Sequence, residues 1–148
     1  MSCNRESPAQ IESVGLEALA LIRDLNWRIF GEERIINRFD RPDLCMLLAR
    51  VDGLPVGFKI GYGESREVFY SAKGGVLEGY RRRGIARAML YEMMQLARRR
   101  GYRVFAYDSF PNRYPAMVIL GLVEGFRVVE VRWNPDFRDF KMRFEKAL

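Results

Sequence analysis

Apolar residues recur at helical spacing between Ile11 and Phe30, at Leu16, Leu19, Ala20, Ile22 and Leu25. The spacing predicts a first helix ended by Gly31. A second helical piece is expected over residues 32–39. It precedes the loop Asp40-Arg41-Pro42-Asp43, since proline disfavours helix in the residue before it. Cys45 to Val51 is then a compact apolar run. Asp52-Gly53 is a strong hairpin signal, and residues 55–62 read as the return strand. A turn at 63–66 leads into a third strand, 67–77, opened by Val68-Phe69-Tyr70. These three strands form an antiparallel meander. Within the third, Gly74-Gly75 reads equally as a simple bend or as a bulge where a ligand comes close.

From Ile85 to Arg100 the period is again helical, with Ala86, Met89, Leu90, Met93, Leu96 and Ala97 on one stripe. Arg98, Arg99 and Arg100 complement the dipole of the last turn, and Gly101 follows as the terminating residue. A strand is expected at 102–107 and a polar loop at 108–114. A short apolar helix follows at 115–124, with proline at its start and Gly125 after its end. Strands at 126–133 and 140–145 close the chain, with Phe140, Met142 and Phe144 on one face. The expected order is ααβββαβαββ. Its central strand-helix-strand unit implies a parallel or splayed pair joined by a crossover. The remaining strands pair as hairpins.

A length of 148 residues fits one domain. Lys plus Arg is 25 against 19 Asp plus Glu, a net charge of +6. That surplus favours anionic partners. There is no histidine, so Ser-His-Asp, Cys-His and His-based zinc chemistry are excluded. Cys3 and Cys45 have no metal-ligand spacing; a disulfide between them stays open, though so few cysteines are more typical of a reducing compartment. The N-terminus has no apolar leader core, and no stretch approaches the length of a membrane span. A cytoplasmic protein without membrane contact is expected.

One segment carries candidate chemistry: Val76-Leu77-Glu78-Gly79-Tyr80-Arg81-Arg82-Arg83-Gly84-Ile85-Ala86-Arg87. It joins a strand to a helix whose first turn exposes unpaired N–H groups. Gly84 lets a ligand approach the backbone, and Ala86 keeps the next contact small. Arg81, Arg82, Arg83 and Arg87 surround these amides with positive charge, which suits a diphosphate. The spacing matches neither the triphosphatase loop nor the dinucleotide fingerprint. No nucleic-acid-binding motif accompanies the basic surplus, so nucleic acid is not an expected partner.

Arg81-Arg82-Arg83-Gly84-Ile85-Ala86 resembles the Arg/Gln-x-x-Gly-x-Gly/Ala motif of the GNAT superfamily of acetyl-CoA-dependent N-acetyltransferases. Asp52-Gly53-Leu-Pro-Val-Gly57 is similar to that family's hairpin of strands two and three. Asn112, Met117 and Gly125-Phe126 resemble further landmarks, and the likeness runs over residues 11–145. It implies an α/β (α+β) fold in one domain: a mixed, largely antiparallel sheet with a central splayed parallel strand pair, flanked by helices. It implies acetyl-CoA as co-substrate. The motif amides and arginines would hold the pyrophosphate, and Val76, Leu77 and Glu78 would pair with the pantetheine arm. Asn112 joins the cofactor set by the same likeness. An acceptor amine would attack the thioester directly, with backbone N–H groups stabilising the oxyanion. Dimers are common in the family, so a homodimer is an open option.

Three departures stand out. Glu78 replaces the motif's usual proline. The tyrosine that acts as general acid, five residues before the Phe of Gly-Phe, is Gly121 here. The strand-four glutamate base of some members corresponds to Tyr70. Tyr70, Asp108 and Tyr114 are substitutes by location only, each read first as structural (a sheet aromatic, a loop acid, a tyrosine on a helix lip), alongside a base acting through water. The acceptor pocket is expected between residues 27–38, the turn 62–66 and the loop after strand five. Glu32, Glu33 and Glu64 read first as three solvated surface acids and otherwise as the charges that would draw in a cationic amine. The missing tyrosine also keeps open a non-catalytic acyl-CoA-binding regulatory domain.

Overall fold

The computed structural model describes residues 8–148. Cys3 lies outside them. The elements run β1 (Gln10–Val14), α1 (Leu19–Phe30), β2 (Cys45–Val51), β3 (Leu54–Gly63), β4 (Val68–Val76), α2 (Ile85–Arg99), β5 (Val104–Ser109), α3 (Pro115–Val123), β6 (Arg127–Asn134) and β7 (Asp139–Ala147). They form a seven-stranded sheet in the order β1-β2-β3-β4-β5-β7-β6. Among the described residues, only β4 and β5 pair in parallel. Helix α1 covers one face, over Met46, Leu48, Phe58 and Ile60. Helices α2 and α3 cover the other, over Leu47, Phe69, Phe105, Tyr107 and Phe144. No helix among the described residues is long and apolar enough to cross a membrane.

The expected first helix is divided. Residues 10–14 form β1 instead and pair antiparallel with β2, with Arg50 Nε on Glu12 Oε1 at 2.7 Å. A 3-10 turn at Leu16–Ala18 then leads into α1. Strand β2 is almost wholly buried, and its outer edge needs a ladder partner that local helix preference does not supply. Residues 32–39 form no helix either. Their carbonyls are tied by side chains: Asn26 Nδ2 donates to Glu32 O (2.8 Å) and Arg34 O (3.2 Å), and Lys73 Nζ donates to Arg34 O (3.0 Å).

The Asp52-Gly53 hairpin forms as expected, with φ of 50° and 80°, the left-handed pair that a two-residue turn requires. The bulge in β4 lies at Ala72, where the register to β3 steps from Lys73↔Ile60 to Ser71↔Gly61. The two glycines behind it serve packing. A Cβ on Gly75 would stand 2.9 Å from Ile29 Cγ2 and 3.0 Å from Phe30 Cζ, and one on Gly74 would stand 3.3 Å from Lys59 Cγ.

Lys59 itself is buried, 5% exposed, on the α2 face of β3. Burial pushes its ammonium down to about 8, only partly offset by the Cys45 thiol. The unfolded chain therefore binds a proton between pH 8 and the ordinary lysine value of 10.5 that the folded chain lacks. Stability should rise with pH across that window, and the whole penalty, about 3 kcal/mol, persists below it. Lys59→Met should stabilise the protein at pH 7 by up to that amount. It should also remove the rise between pH 8 and 10, as read by urea unfolding at both values.

Candidate active site

Strands β4 and β5 are joined only from Val68↔Val104 to Ser71↔Tyr107. Beyond the Ala72 bulge, β4 keeps its β3 partner but, among the described residues, has none on the β5 side, while β5 stays paired with β7 along its whole length. The sheet opens into a wedge at its centre. Backbone groups on the free edge of residues 72–76 are left for a ligand.

At the mouth of this wedge the chain leaves β4, makes a 3-10 turn at Glu78–Tyr80 and enters α2. Glu78 thus belongs to the turn; the strand ends at Val76, although Leu77 N–H still donates to Val56 O at 2.8 Å. Gly84 begins the helix at φ 78°, a conformation glycine adopts without cost. Among the described residues, nothing lies within 4 Å of where its Cβ would be. The first helical bond runs from Ala88 N–H to Gly84 O (3.0 Å). Among the described residues, the N–H groups of Gly84, Ile85, Ala86 and Arg87 have no partner. They make an open cradle at the positive end of the α2 dipole. Arg82, at φ 62°, is exposed beside it. Arg81 Nε donates to Val76 O (3.1 Å) and Arg83 Nη2 to Gly79 O (3.3 Å). Arg87 Nε pairs with Glu124 Oε1 at 2.7 Å. The Arg81 and Arg87 guanidiniums keep further N–H groups for a phosphate. Asn112 is engaged elsewhere: its Nδ2 and backbone N–H donate to the buried Asp139 at 2.8 and 2.9 Å.

On the α1 face of the wedge lies an open cleft of about 620 Å³, lined by residues 32–37 and by Tyr62, Tyr70, Ala72 and Lys73. Residues 32–37 and Tyr62 take up their expected places around it. The loop after β5 does not line it. Strand β5 runs two residues further than expected, to Ser109, so Asp108 sits on the sheet. There Tyr70 Oη donates to Asp108 Oδ2 at 2.5 Å. Tyr70 faces the cleft, and Asp108, largely buried, stands behind it with Lys141 Nζ 3.7 Å away. Burial, and then the Asp108 carboxylate, push the Tyr70 hydroxyl well above its usual value, so it stays protonated. Tyr114 is not brought to this pair. It packs edge-on to Phe30 with ring centroids 6.0 Å apart, and its Oη accepts from Arg113 Nε at 3.1 Å.

The three acids expected to attract an amine fare differently. Glu32 is paired with Lys73 (2.6 Å) and Glu64 with Arg143 (2.6 Å). Glu33 is exposed. Lys73 and Arg143 escaped the sequence reading because only the bulge and the β5–β7 register bring them here. At the position lacking the usual tyrosine, a Cβ on Gly121 would collide with the hydroxyl of Tyr107. That hydroxyl donates to Met117 O at 2.9 Å. Gly121→Tyr should therefore cost about 1–3 kcal/mol of stability by overpacking. It should not raise turnover, which urea unfolding and an acetylation assay can check.

A sequence model of the acetyltransferase (GNAT) family matches residues 16–117. The chain belongs to that family. No curated protein sequence matches the chain. Several solved GNAT-fold structures are similar over 95% of it. An IAA acetyltransferase from Bacillus cereus superposes with a TM-score of 0.82 at 17% identity, over all of that chain. A GNAT family acetyltransferase from Elizabethkingia anophelis, solved with acetyl-CoA bound, gives 0.80 at 16% identity over 98% of its length. The ribosomal-protein-S18-alanine N-acetyltransferase from Escherichia coli gives 0.79 at 16% identity over 94%. These likenesses establish the fold, with its one splayed parallel pair, as that of the GNAT acetyltransferases. Acetyl-CoA is the co-substrate of this family, and the free amides, arginines and open β4 edge fit its diphosphate and its amide-bearing arm.

Proposed function

We propose that the whole chain is one N-acetyltransferase domain, moving an acetyl group from acetyl-CoA to an amine of a small molecule or peptide by direct attack in a ternary complex. We place it in the cytoplasm, where thiols such as Cys45 stay reduced. The observation that carries the reading is the Tyr70–Asp108 hydrogen bond between the cleft and the open β4 edge.

The cradle at Gly84–Arg87 fixes the diphosphate, with Arg81, Arg82 and Arg83 as its positive rim. Residues 72–77 align the arm so that the thioester lies in the wedge. An amine in the cleft then meets the carbonyl at Tyr70. As the C–N bond forms, the Tyr70 hydroxyl accepts the amine proton and passes its own to Asp108, so the proton ends on the carboxylate. Free N–H groups of β4 receive the charge that develops on the carbonyl oxygen. A thiol of ordinary pKa, near 8.5, can leave as the thiolate without an acid at position 121. A covalent route through Cys45 is closed, because that thiol is 2% exposed beneath α2.

The test is coenzyme A release from acetyl-CoA across a panel of primary amines and peptide N-termini. Turnover with at least one acceptor, lost in Tyr70→Phe and Asp108→Asn, is expected. Acetyl-CoA binding without turnover on any acceptor would favour the regulatory-domain reading that Gly121 suggests.

A further inference from the structure

A carboxylate stands beside the basic rim of the amide cradle. Glu124, the residue that caps the C-terminus of α3, places Oε1 2.7 Å from Arg87 Nε. Its Oε2 accepts from Tyr91 Oη at 2.5 Å. The backbone of Glu124 is anchored as well. Its N–H closes the last turn of α3 on Leu120 O at 2.9 Å, and its O accepts from Lys146 Nζ of β7 at 2.5 Å. The Glu124 side chain is 11% exposed, against 48% for Arg87. The carboxylate is thus the fixed member of the pair, and the guanidinium is the member open to solvent.

An acid here runs against the local charge. Arg81, Arg82 and Arg83 lie on the same rim, and a carboxylate near them repels the anion they attract. The geometry gives it another role. Arg87 and Tyr91 are four residues apart on α2 and share one helix face. Helical side chains lean toward the N-terminus of their helix, which here is the end bearing the free amides of residues 84–87. Glu124 engages Arg87 at Nε, while among the described residues the two Nη groups have no partner. The outer end of the fork, which matches phosphate oxygens, is left open. The repulsion passes through water and salt, which screen it. Ordering one long side chain at binding instead weakens affinity by roughly 2- to 10-fold, so the hold on Arg87 outweighs the added charge.

We infer that Glu124 is a positioning residue for the coenzyme: it presets the Arg87 fork beside the diphosphate cradle, with Tyr91 securing its second oxygen. This rests on the acetyl-CoA reading of that cradle.

Calorimetric titration of acetyl-CoA into wild type, Glu124→Gln, Arg87→Ala and the double variant tests it. Glutamine keeps the size of the side chain and an oxygen for Tyr91 Oη, and loses the charge that holds Arg87. In the wild-type background it should weaken binding roughly 2- to 10-fold. In the Arg87→Ala background it should leave affinity unchanged or raise it, since only repulsion then remains to be removed. Tyr91→Phe, at an exposed side chain, should weaken binding in the same direction and only when Arg87 is present. Thermal unfolding without ligand establishes that each variant folds; should Glu124→Gln fail, Tyr91→Phe with and without Arg87→Ala decides by the same comparison. Equal losses with and without Arg87 would mean that Glu124 only props the end of α3, and would overturn the inference. So would a Glu124→Gln protein that binds as tightly as wild type. A wild type that does not bind acetyl-CoA would overturn the reading of the cradle itself, and this inference with it.

Discussion

Asp108→Asn should lower kcat by about 10²–10⁴-fold, the usual contribution of a general base, and leave KM for acetyl-CoA within a few-fold. Asparagine keeps the size of the side chain and an oxygen for Tyr70 Oη, now 2.5 Å from Asp108 Oδ2, so the fold and the cleft persist. What it loses is the capacity to take a proton. Tyr70→Phe should fall by a similar factor, because the phenol alone of the pair lines the cleft. A Tyr70→Phe enzyme at full activity would mean that the amine reaches Asp108 directly. The Tyr70 hydroxyl is raised by burial and by the adjacent carboxylate. The pH profile should therefore show no loss from tyrosine ionisation up to its ordinary value of 10.0. Steady-state kinetics with the best acceptor of the amine panel check all three.

Gly84→Glu should abolish stabilisation by acetyl-CoA. At about 100 times its dissociation constant the ligand adds about 2.7 kcal/mol to wild-type stability, visible as a rise in Tm. A glutamate at this position puts an anion into the space the diphosphate needs. It also forces a side chain to φ 78°, at a cost of roughly 1–2 kcal/mol. Gly84→Ala separates the two effects. It bears the strain and, among the described residues, meets nothing within 4 Å, so it should lose some folding stability yet keep part of the ligand-induced rise. Equal ligand-induced rises in wild type and Gly84→Glu would show that the diphosphate binds elsewhere.

What the chain pattern revealed, and what it hid, divides along the range of the interactions. The α2 helix, its Gly101 ending at φ 89°, the Asp52-Gly53 turn and the glycine cradle are local, and all were readable. Strand β1 was not. Its residues suit a helix, and only the uncovered edge of β2 makes them a strand. The 32–39 segment failed as a helix because side chains outside it, the nearby Asn26 and the sequence-distant Lys73, bind its carbonyls. Tyr70 and Asp108 were each named by position. That they share a proton depends on the parallel register Tyr70↔Ala106 and on β5 extending to Ser109. Periodicity fixes neither. Glu32 and Glu64 were legible as acids near the acceptor, but their neutralisation by Lys73 and Arg143 arises from pairings across the sheet.

The grip of the α2 N-terminus on the coenzyme diphosphate is most directly observed by titrating ¹⁵N-labelled protein with coenzyme A and following its amide resonances. The N–H groups of Gly84, Ile85, Ala86 and Arg87 should move furthest, downfield and in a saturable way, because a phosphate oxygen replaces water as their acceptor. Saturation of the protein with those four resonances unmoved would contradict it.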